Sequence, residues 1–457
     1  MHCSPIFKMN AAGKKTASSL AAASWEAVIG IEVHAQLASP HKLFSPARSS
    51  SSGSSSSSSP MPPNCNVARL DASVPGSLPV LGWDCVERAV TLGLALGSRV
   101  QPRSSFDRKH YFYADMPAGY QITQHRAPLL TGGSVALDDD DDDDDEQQGD
   151  TKKDGSRRVR LIQIQLEQDS AKSIHDQKPG VALVDLNRAG SALVEIVSYP
   201  DMRSSVDAAA YVRKLQTTLR IMGVSPANLE DGTMRCDVNV SVRPRGALVS
   251  GTRIELKNLN SIRAISNAID YEVGIQVAAL EAGGKVAQET RSFDPATGTT
   301  FKLRDKETAR DYRYMPEPDL PDLVLTQAQI DAIRQRLPEL LHVRQARLCR
   351  QFGLSRERAK FLLGERGAAD FFERTMQLFA LNDSDLVHKT AGNVYGWITS
   401  QLMGDLNGRL LTLDTSPVTP SQIASIVRSI QANVVSGRQA KEVLGKMLDG
   451  DTDLAEQ

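Results

Sequence analysis

The feature that most restricts the fold is a strict two-residue alternation in Val28–Leu37, V-I-G-I-E-V-H-A-Q-L. Ile29, Ile31, Val33 and Ala35 fall on one side, and Gly30, Glu32, His34 and Gln36 on the other. A period of two marks an extended strand with one buried face. Glu32 and His34 therefore share a face, one pleat apart. A carboxylate beside an imidazole on a rigid strand reads as a hard-cation ligand pair, as an acid/base pair, or as two polar groups on a solvated surface.

The pattern recurs. Val159–Glu167 sets Ile162, Ile164 and Leu166 against Gln163, Gln165 and Glu167. Ala192–Val197 is a mostly apolar strand with Glu195 inside it, and an acid so placed needs a partner. Arg235–Arg243 sets Cys236, Val238, Val240 and Val242 against Arg235, Asp237, Asn239, Ser241 and Arg243. Thr252–Leu259 repeats the form, with Ile254 and Leu256 against Arg253, Glu255 and Lys257, after a short Pro/Gly-containing link typical of a hairpin. Such strands predict an antiparallel sheet with a polar concave floor over an aliphatic core.

Helices are predicted at Val206–Met222, opened by Ser204/Ser205 and closed by Gly223, and at Ile262–Leu280, ending before Gly283–Gly284. After Pro321 helical periodicity takes over, at Leu323–Leu337, Leu340–Leu354, Arg358–Leu363, Asp370–Leu378 and Ala391–Leu402. Two short amphipathic helices then fill Thr412–Gln457. The predicted class is α+β: a sheet domain over 26–321, an all-helical domain over 322–406, and a partial helical tail over 407–457 that is short for an independent domain.

Three stretches interrupt this plan. Residues 1–25 are rich in Ser and Ala and carry Lys8, Lys14 and Lys15 without an acid, which reads as an organellar targeting extension or an unstructured leader. The Ser run within 49–63 and the acidic run within 138–156 lack the apolar content to offset the entropy of ordering, and are predicted to be disordered inserts. Asp138–Glu146 alone supplies nine acids, so the formal net charge of -2 becomes +7 once they are set aside. A mildly basic working protein permits an RNA partner without demanding one. The five scattered cysteines form no C-x-x-C pair, which fits a reducing compartment, and no apolar run reaches the length of a membrane span. Phe106–Gln124 interleaves aromatics with Arg108, Lys109 and His110. It suits either stacking on bases beside phosphates or a packed aromatic hairpin with its charges outside.

Nine colinear stretches carry a family resemblance: I-G-I-E-V-H-A-Q-L (29–37), F-D-R-K-H-Y-F-Y (106–113), Y-Q-I-T-Q (120–124), L-E-Q-D-S-A-K-S-I-H (166–175), V-D-L-N-R-A-G (184–190), M-R-C-D-V-N-V-S (234–241), E-L-K-N-L-N-S (255–261), Q-E-T-R-S-F-D (288–294) and D-Y-R-Y-M-P-E-P-D-L-P (311–321). Together they make the chain resemble the GatB family, the B-type component of the aspartyl/glutamyl-tRNA(Asn/Gln) amidotransferases, in its mitochondrial form. The resemblance implies a kinase-like cradle domain, a helical domain, and a YqeY-like tail that contacts tRNA and normally continues further than Gln457. It implies ATP-dependent phosphorylation of the side-chain carboxylate of Glu-tRNA(Gln). Amidation then uses ammonia from a partner amidase, the A-type component, and a small third component of the C or F type clamps the complex. It implies ATP and Mg²⁺ as cofactors and no membrane partner.

Carried over by motif, Glu32, His34, Glu167 and Glu195 are the expected metal ligands. Asp237 and Asn239 are further metal or phosphate contacts. Lys109 and Lys257 neutralise phosphate or carboxylate, while Arg235, Arg188 and Lys172 steer the anionic tRNA end. Gln168 stands where bacterial members carry a second acid, which points to Glu167 as the ligand, and Ala171 replaces the usual Gly. With no G-x-x-x-x-G-K-[ST], phosphate binding cannot be a P-loop. No nucleophile constellation for glutamine hydrolysis is present, so ammonia must come from a partner. The alternative is a tRNA-binding scaffold that has lost catalysis.

Overall fold

The computed structural model describes residues 24–49, 61–137, 157–175, 180–305, 312–380, 383–409 and 411–450. The predicted extension up to residue 23, most of the 49–63 insert and all of the 138–156 insert lie outside them. The chain divides into two compact units, the first running to Pro338 and the second from Glu339.

The first unit is organised on β1 (Trp25–Gln36), which begins one residue inside the predicted extension. It is followed by α1 (Trp83–Ala95), β2 (Asp107–His110), β3 (Tyr120–Thr123), β4 (Arg158–Gln168), β5 (Ala192–Ser198), α2 (Ser205–Ile221), β6 (Met234–Pro244), β7 (Ile254–Leu259), α3 (Ile262–Glu281), β8 (Glu289–Asp294), β9 (Thr299–Asp305) and α4 (Gln327–Gln335). The main sheet runs β9-β8-β7-β6-β1-β5-β4 and continues through two short strands at Leu130–Thr131 and Arg99–Val100. All pairs are antiparallel except β7 with β8, so the sheet is mixed rather than purely antiparallel. The parallel step follows from the connection: α3 leaves the end of β7 and returns the chain to start β8 in the same direction, as a helical crossover does.

The apolar side of the alternation is the core. Ile29, Ile31, Val33 and Ala35 are buried, as are Val194, Ile196, Val238, Val240, Ile254 and Leu256. Helices α2 and α3 pack on each other, with Val212, Leu215, Leu219, Ile265 and Ile269 buried. Ser204 and Ser261 cap them by accepting from the backbone N–H of Asp207 and Ala264, both at 3.1 Å. One phase assignment is corrected. The β4–β5 register slips between Val197 and Ser198, so Leu161 is buried and Ile162, expected in the core, is exposed.

The motif V-D-L-N-R-A-G ends at Gly190 for a visible reason. Gly190 has φ +77°, and a Cβ there would lie 2.9 Å from Asp71 Oδ1. Gly190→Ala is expected to cost about 1–2 kcal/mol from the left-handed backbone alone. A urea melt would detect this, and an unchanged midpoint would show that the turn relaxes.

The predicted boundary at 321 moves. Leu323–Val324 pairs with Arg103–Ser104, α4 packs against α1, and Arg336 forms an ion pair with Glu87, so the first unit extends to Pro338. Leu323–Leu337 is thus a short strand followed by a helix. The second unit is helical: Leu341–Phe352, Arg356–Gly364, Ala368–Gln377, Ser384–Gly396, a π-helical stretch Trp397–Leu402, Met403–Gly408, Pro420–Gln431 and Gly437–Leu448. By Cα proximity these helices form one compact unit from Glu339 on.

Candidate functional site

The polar side of the central strands forms the floor of a cavity of about 560 Å³. Strand register places its side chains. His34 lies opposite Glu195 on β5 and opposite Arg235 on β6, while Glu167 on β4 lies opposite Leu193. His34 Nε2 is 3.3 Å from Glu167 Oε1 and 3.8 Å from Glu195 Oε2. One ligand atom from each of His34, Glu167 and Glu195 lies within 4.8 Å of the others. Gln165, read from the sequence only as part of a polar face, donates to Glu195 Oε2 at 2.6 Å and fixes that carboxylate.

The electrostatics follow from this crowding. Burial opposes charge on His34, but its hydrogen bond to Glu167 and the charges of Glu195, Glu167 and Asp237 push it up to about 9. Burial works to raise Glu167, yet His34 and Lys109 outweigh it and hold the carboxyl down at about 2. Glu195, raised by burial and by the Glu167 charge, is pushed up to about 7. Burial likewise opposes the charge on Lys109, but Glu167 and Glu195 hold its ammonium above the ordinary lysine range. The His34 ring thus lies between two carboxylates, which favour its protonated form; as a cation ligand it would give up that proton.

The residues fit such a cation. Two carboxylates and an imidazole converge, and Glu167 Oε2 is buried without a hydrogen-bond partner among the described residues. A buried carboxylate oxygen left bare is costly unless something else satisfies it.

The remaining expected residues distribute unevenly. Glu32 is not among the three converging groups. It accepts from Asn239 Nδ2 at 3.3 Å and lines an adjoining hollow of about 220 Å³ with Gly30, Pro200, Ser241 and Arg253. Asp237 lies opposite Glu32 but is ion-paired with Lys257, whose Nζ is also 3.3 Å from Glu255 Oε1. Neither acid therefore joins the trio. Lys109, Arg235, Asp237 and Lys257 all line the larger cavity.

Arg235 is held by Asp169 at 2.8 Å. Asp169 also sits 3.5 Å from Arg188, which donates to the carbonyls of Ser170 and Ala171. Arg188 therefore braces the 169–171 turn instead of facing the cavity, and Lys172 is exposed outside it. Asp169 was hidden inside L-E-Q-D-S because nothing in spacing distinguishes an anchor for arginine from a solvated acid.

Phe106–Gln124 is a packed hairpin. β2 pairs with β3, Phe106 is buried edge-on to Phe44, and Arg108 is held by two 2.8 Å bonds to Glu317. Its Lys109 points into the cavity, with Tyr312 5.3 Å below the ammonium, while Phe112 and Tyr113 are exposed.

The fold is thus a mixed-sheet α+β domain whose polar floor brings together His34, the buried Glu167 and Glu195, with lysines and an arginine lining the cavity beside them. Known proteins place it more closely. The pattern of the GatB/GatE catalytic domain matches residues 27–331, and that of a second GatB domain matches 383–457. The chain is similar to the aspartyl/glutamyl-tRNA(Asn/Gln) amidotransferase B subunit of Rhodopseudomonas palustris strain BisB18, 46% identical over 423 residues that cover 93% of this chain and 80% of that protein. The protein of that name from Acidiphilium cryptum strain JF-5 is 44% identical over 426 residues, covering 93% and 81%. The chain belongs to the GatB family, whose members are the B-type components of the tRNA-dependent amidotransferases.

Proposed function

We propose that this chain is the component that activates the side-chain carboxylate of glutamate misattached to tRNA(Gln), using ATP, and converts it to the amide. Ammonia comes from a separate A-type amidase, a small third component of the C or F type completes the complex, and the setting is mitochondrial translation. The mixed sheet with its polar floor serves as the kinase-like cradle. Gln168 in place of a second acid and the low-complexity stretches support the organellar assignment.

The observation that carries the reading is the convergence of His34, Glu167 and Glu195, of which His34 and Glu167 line one cavity with Lys109, Arg235 and Lys257. A carboxylate is a poor acyl donor until one oxygen becomes a leaving group. Phosphoryl transfer to it is mostly positioning and charge neutralisation. His34, Glu167 and Glu195 would hold Mg²⁺, which when bound supplies charge neutralisation for the phosphates. Lys109 adds positive charge next to Glu167 and Glu195, and Lys257, held by Asp237 and Glu255, lines the same cavity. Arg235, anchored by Asp169, contributes a planar donor fork for phosphate or carboxylate oxygens. The hollow of Glu32, Asn239 and Ser241 next to the trio takes the nucleoside part of ATP, with Glu32 and Asn239 as partners for its hydroxyls.

Reconstitution with the partner amidase tests this. ATP- and glutamine-dependent conversion of Glu-tRNA(Gln) to Gln-tRNA(Gln) is expected, and tRNA binding without turnover would establish a scaffold instead. Glu32→Ala is expected to raise the KM for ATP roughly tenfold, about one lost charged hydrogen bond, while leaving the divalent-cation requirement in place. An altered cation requirement with an unchanged KM would return Glu32 to the metal set.

A further inference from the structure

The β6–β7 ladder contains an irregularity in the middle of the site. Cys236 pairs with Leu259 and Val238 with Leu256, so Asp237 alone faces two residues, Lys257 and Asn258. Asn258 has φ +61°, the left-handed region that a non-glycine residue rarely occupies. One extra residue with its backbone in that region is the form of a β-bulge built on a left-handed position. We infer that Asn258 is a positioning residue for the activation step: its left-handed backbone creates the bulge that keeps Asn258 beside Lys257 on the cavity side and returns Leu259 to the core opposite Cys236. This rests on the function proposed above.

The consequences for side-chain placement are visible. Ile254 and Leu256 face the core and Glu255 and Lys257 the cavity side. Regular alternation would next send Asn258 inward and Leu259 out. The extra residue does the reverse, so Asn258 is exposed and Leu259 is buried at 4%. Lys257 and Asn258 thus both line the cavity, and the chain regains its phase before Ser261 caps α3. Lys257 Nζ ends between the carboxylates of Asp237 and Glu255. The Asn258 carboxamide donates to Ser292 Oγ at 3.2 Å on the parallel neighbour β8, which ties the bulge sideways. Asparagine is the side-chain-bearing residue that adopts this backbone at least cost, whereas a β-branched residue there is a true outlier.

The test uses the reconstituted complex with Asn258→Gly, Asn258→Val and Ser292→Ala, measuring kcat, the KM for ATP and the thermal midpoint of each. Glycine adopts the left-handed backbone freely, so Asn258→Gly is expected to keep kcat within about threefold of the parent. Asn258→Val is expected to lower kcat roughly 10- to 100-fold, the scale of displacing a positioned group by about an ångström. Ser292→Ala is expected to follow the glycine variant. A valine variant that melts earlier but keeps parental kcat and KM in its folded fraction would reduce the bulge to a stability feature and overturn the inference. So would a glycine variant as impaired as valine, because the carboxamide and not the backbone would then be responsible. If the parent complex itself gives no Gln-tRNA(Gln), the proposed function fails before Asn258 is in question.

Discussion

Glu167→Ala is expected to reduce amide formation by roughly 10²–10³-fold, the scale seen when a preorganised electrostatic group at a reacting centre is removed. Glu167 is buried at 3%, it is held ionised down to about 2, and one of its oxygens has no partner among the described residues. Removing it strips the trio of its one firmly anionic member. His34 loses its principal partner, and Glu195 loses the neighbouring charge that raises it. Mn²⁺ binding, followed by its paramagnetic signal without any substrate, gives a second readout, and affinity is expected to fall at least roughly tenfold. Glu167→Gln keeps the volume and separates loss of charge from loss of packing. Parental Mn²⁺ affinity together with parental turnover in either variant would remove Glu167 from the cation set.

The largest effect on stability is expected at a residue with no part in the chemistry. The side chain of Lys42 is completely buried and that of Asp71 is 2% exposed. The ammonium uses all three of its protons, donating to Asp71 Oδ2 at 2.9 Å and to the carbonyls of Asn66 and Leu186 at 3.0 and 3.3 Å. Burial nevertheless holds Lys42 below the ordinary lysine range, so the pair is only just compensated. Asp71→Ala leaves a buried cation without its counter-ion, which costs about 3–5 kcal/mol. Against a total of about 5–15 kcal/mol for a domain, that is a large part of the whole. Urea denaturation would measure it. The double variant Lys42→Met/Asp71→Leu is expected to recover most of the loss, since no uncompensated charge remains. A single variant with an unaltered midpoint would mean that Lys42 reaches solvent when released.

The sheet was legible because its alternation is long and its apolar members are aliphatic. β1, β4, β5, β6 and β7 stand within a few residues of the predicted limits, and α2 carries the serine cap that the sequence advertised. What was not legible is pairing. Nothing local in Glu289–Asp294 tells that it runs parallel to Ile254–Leu259, since direction is decided by the crossover helix and not by the strand. The same limit applies to the site. Face and alternation put His34, Glu167 and Glu195 on one surface, but register separates Glu32 from them and gives Asp237 to Lys257. Lys42 was invisible for a different reason: a lysine in H-K-L-F reads as a surface residue, and its burial depends on Asn66, Asp71 and Leu186 closing over it.

The three cation-directed groups stand on three neighbouring strands, and β1 waits at the centre for partners made far later in the chain. No fragment that ends before β5 can contain the complete trio, however well its own segments are formed. During synthesis the first strand must therefore be kept from competing associations until its neighbours emerge. Closing such distant pairs is the slow part of building a sheet.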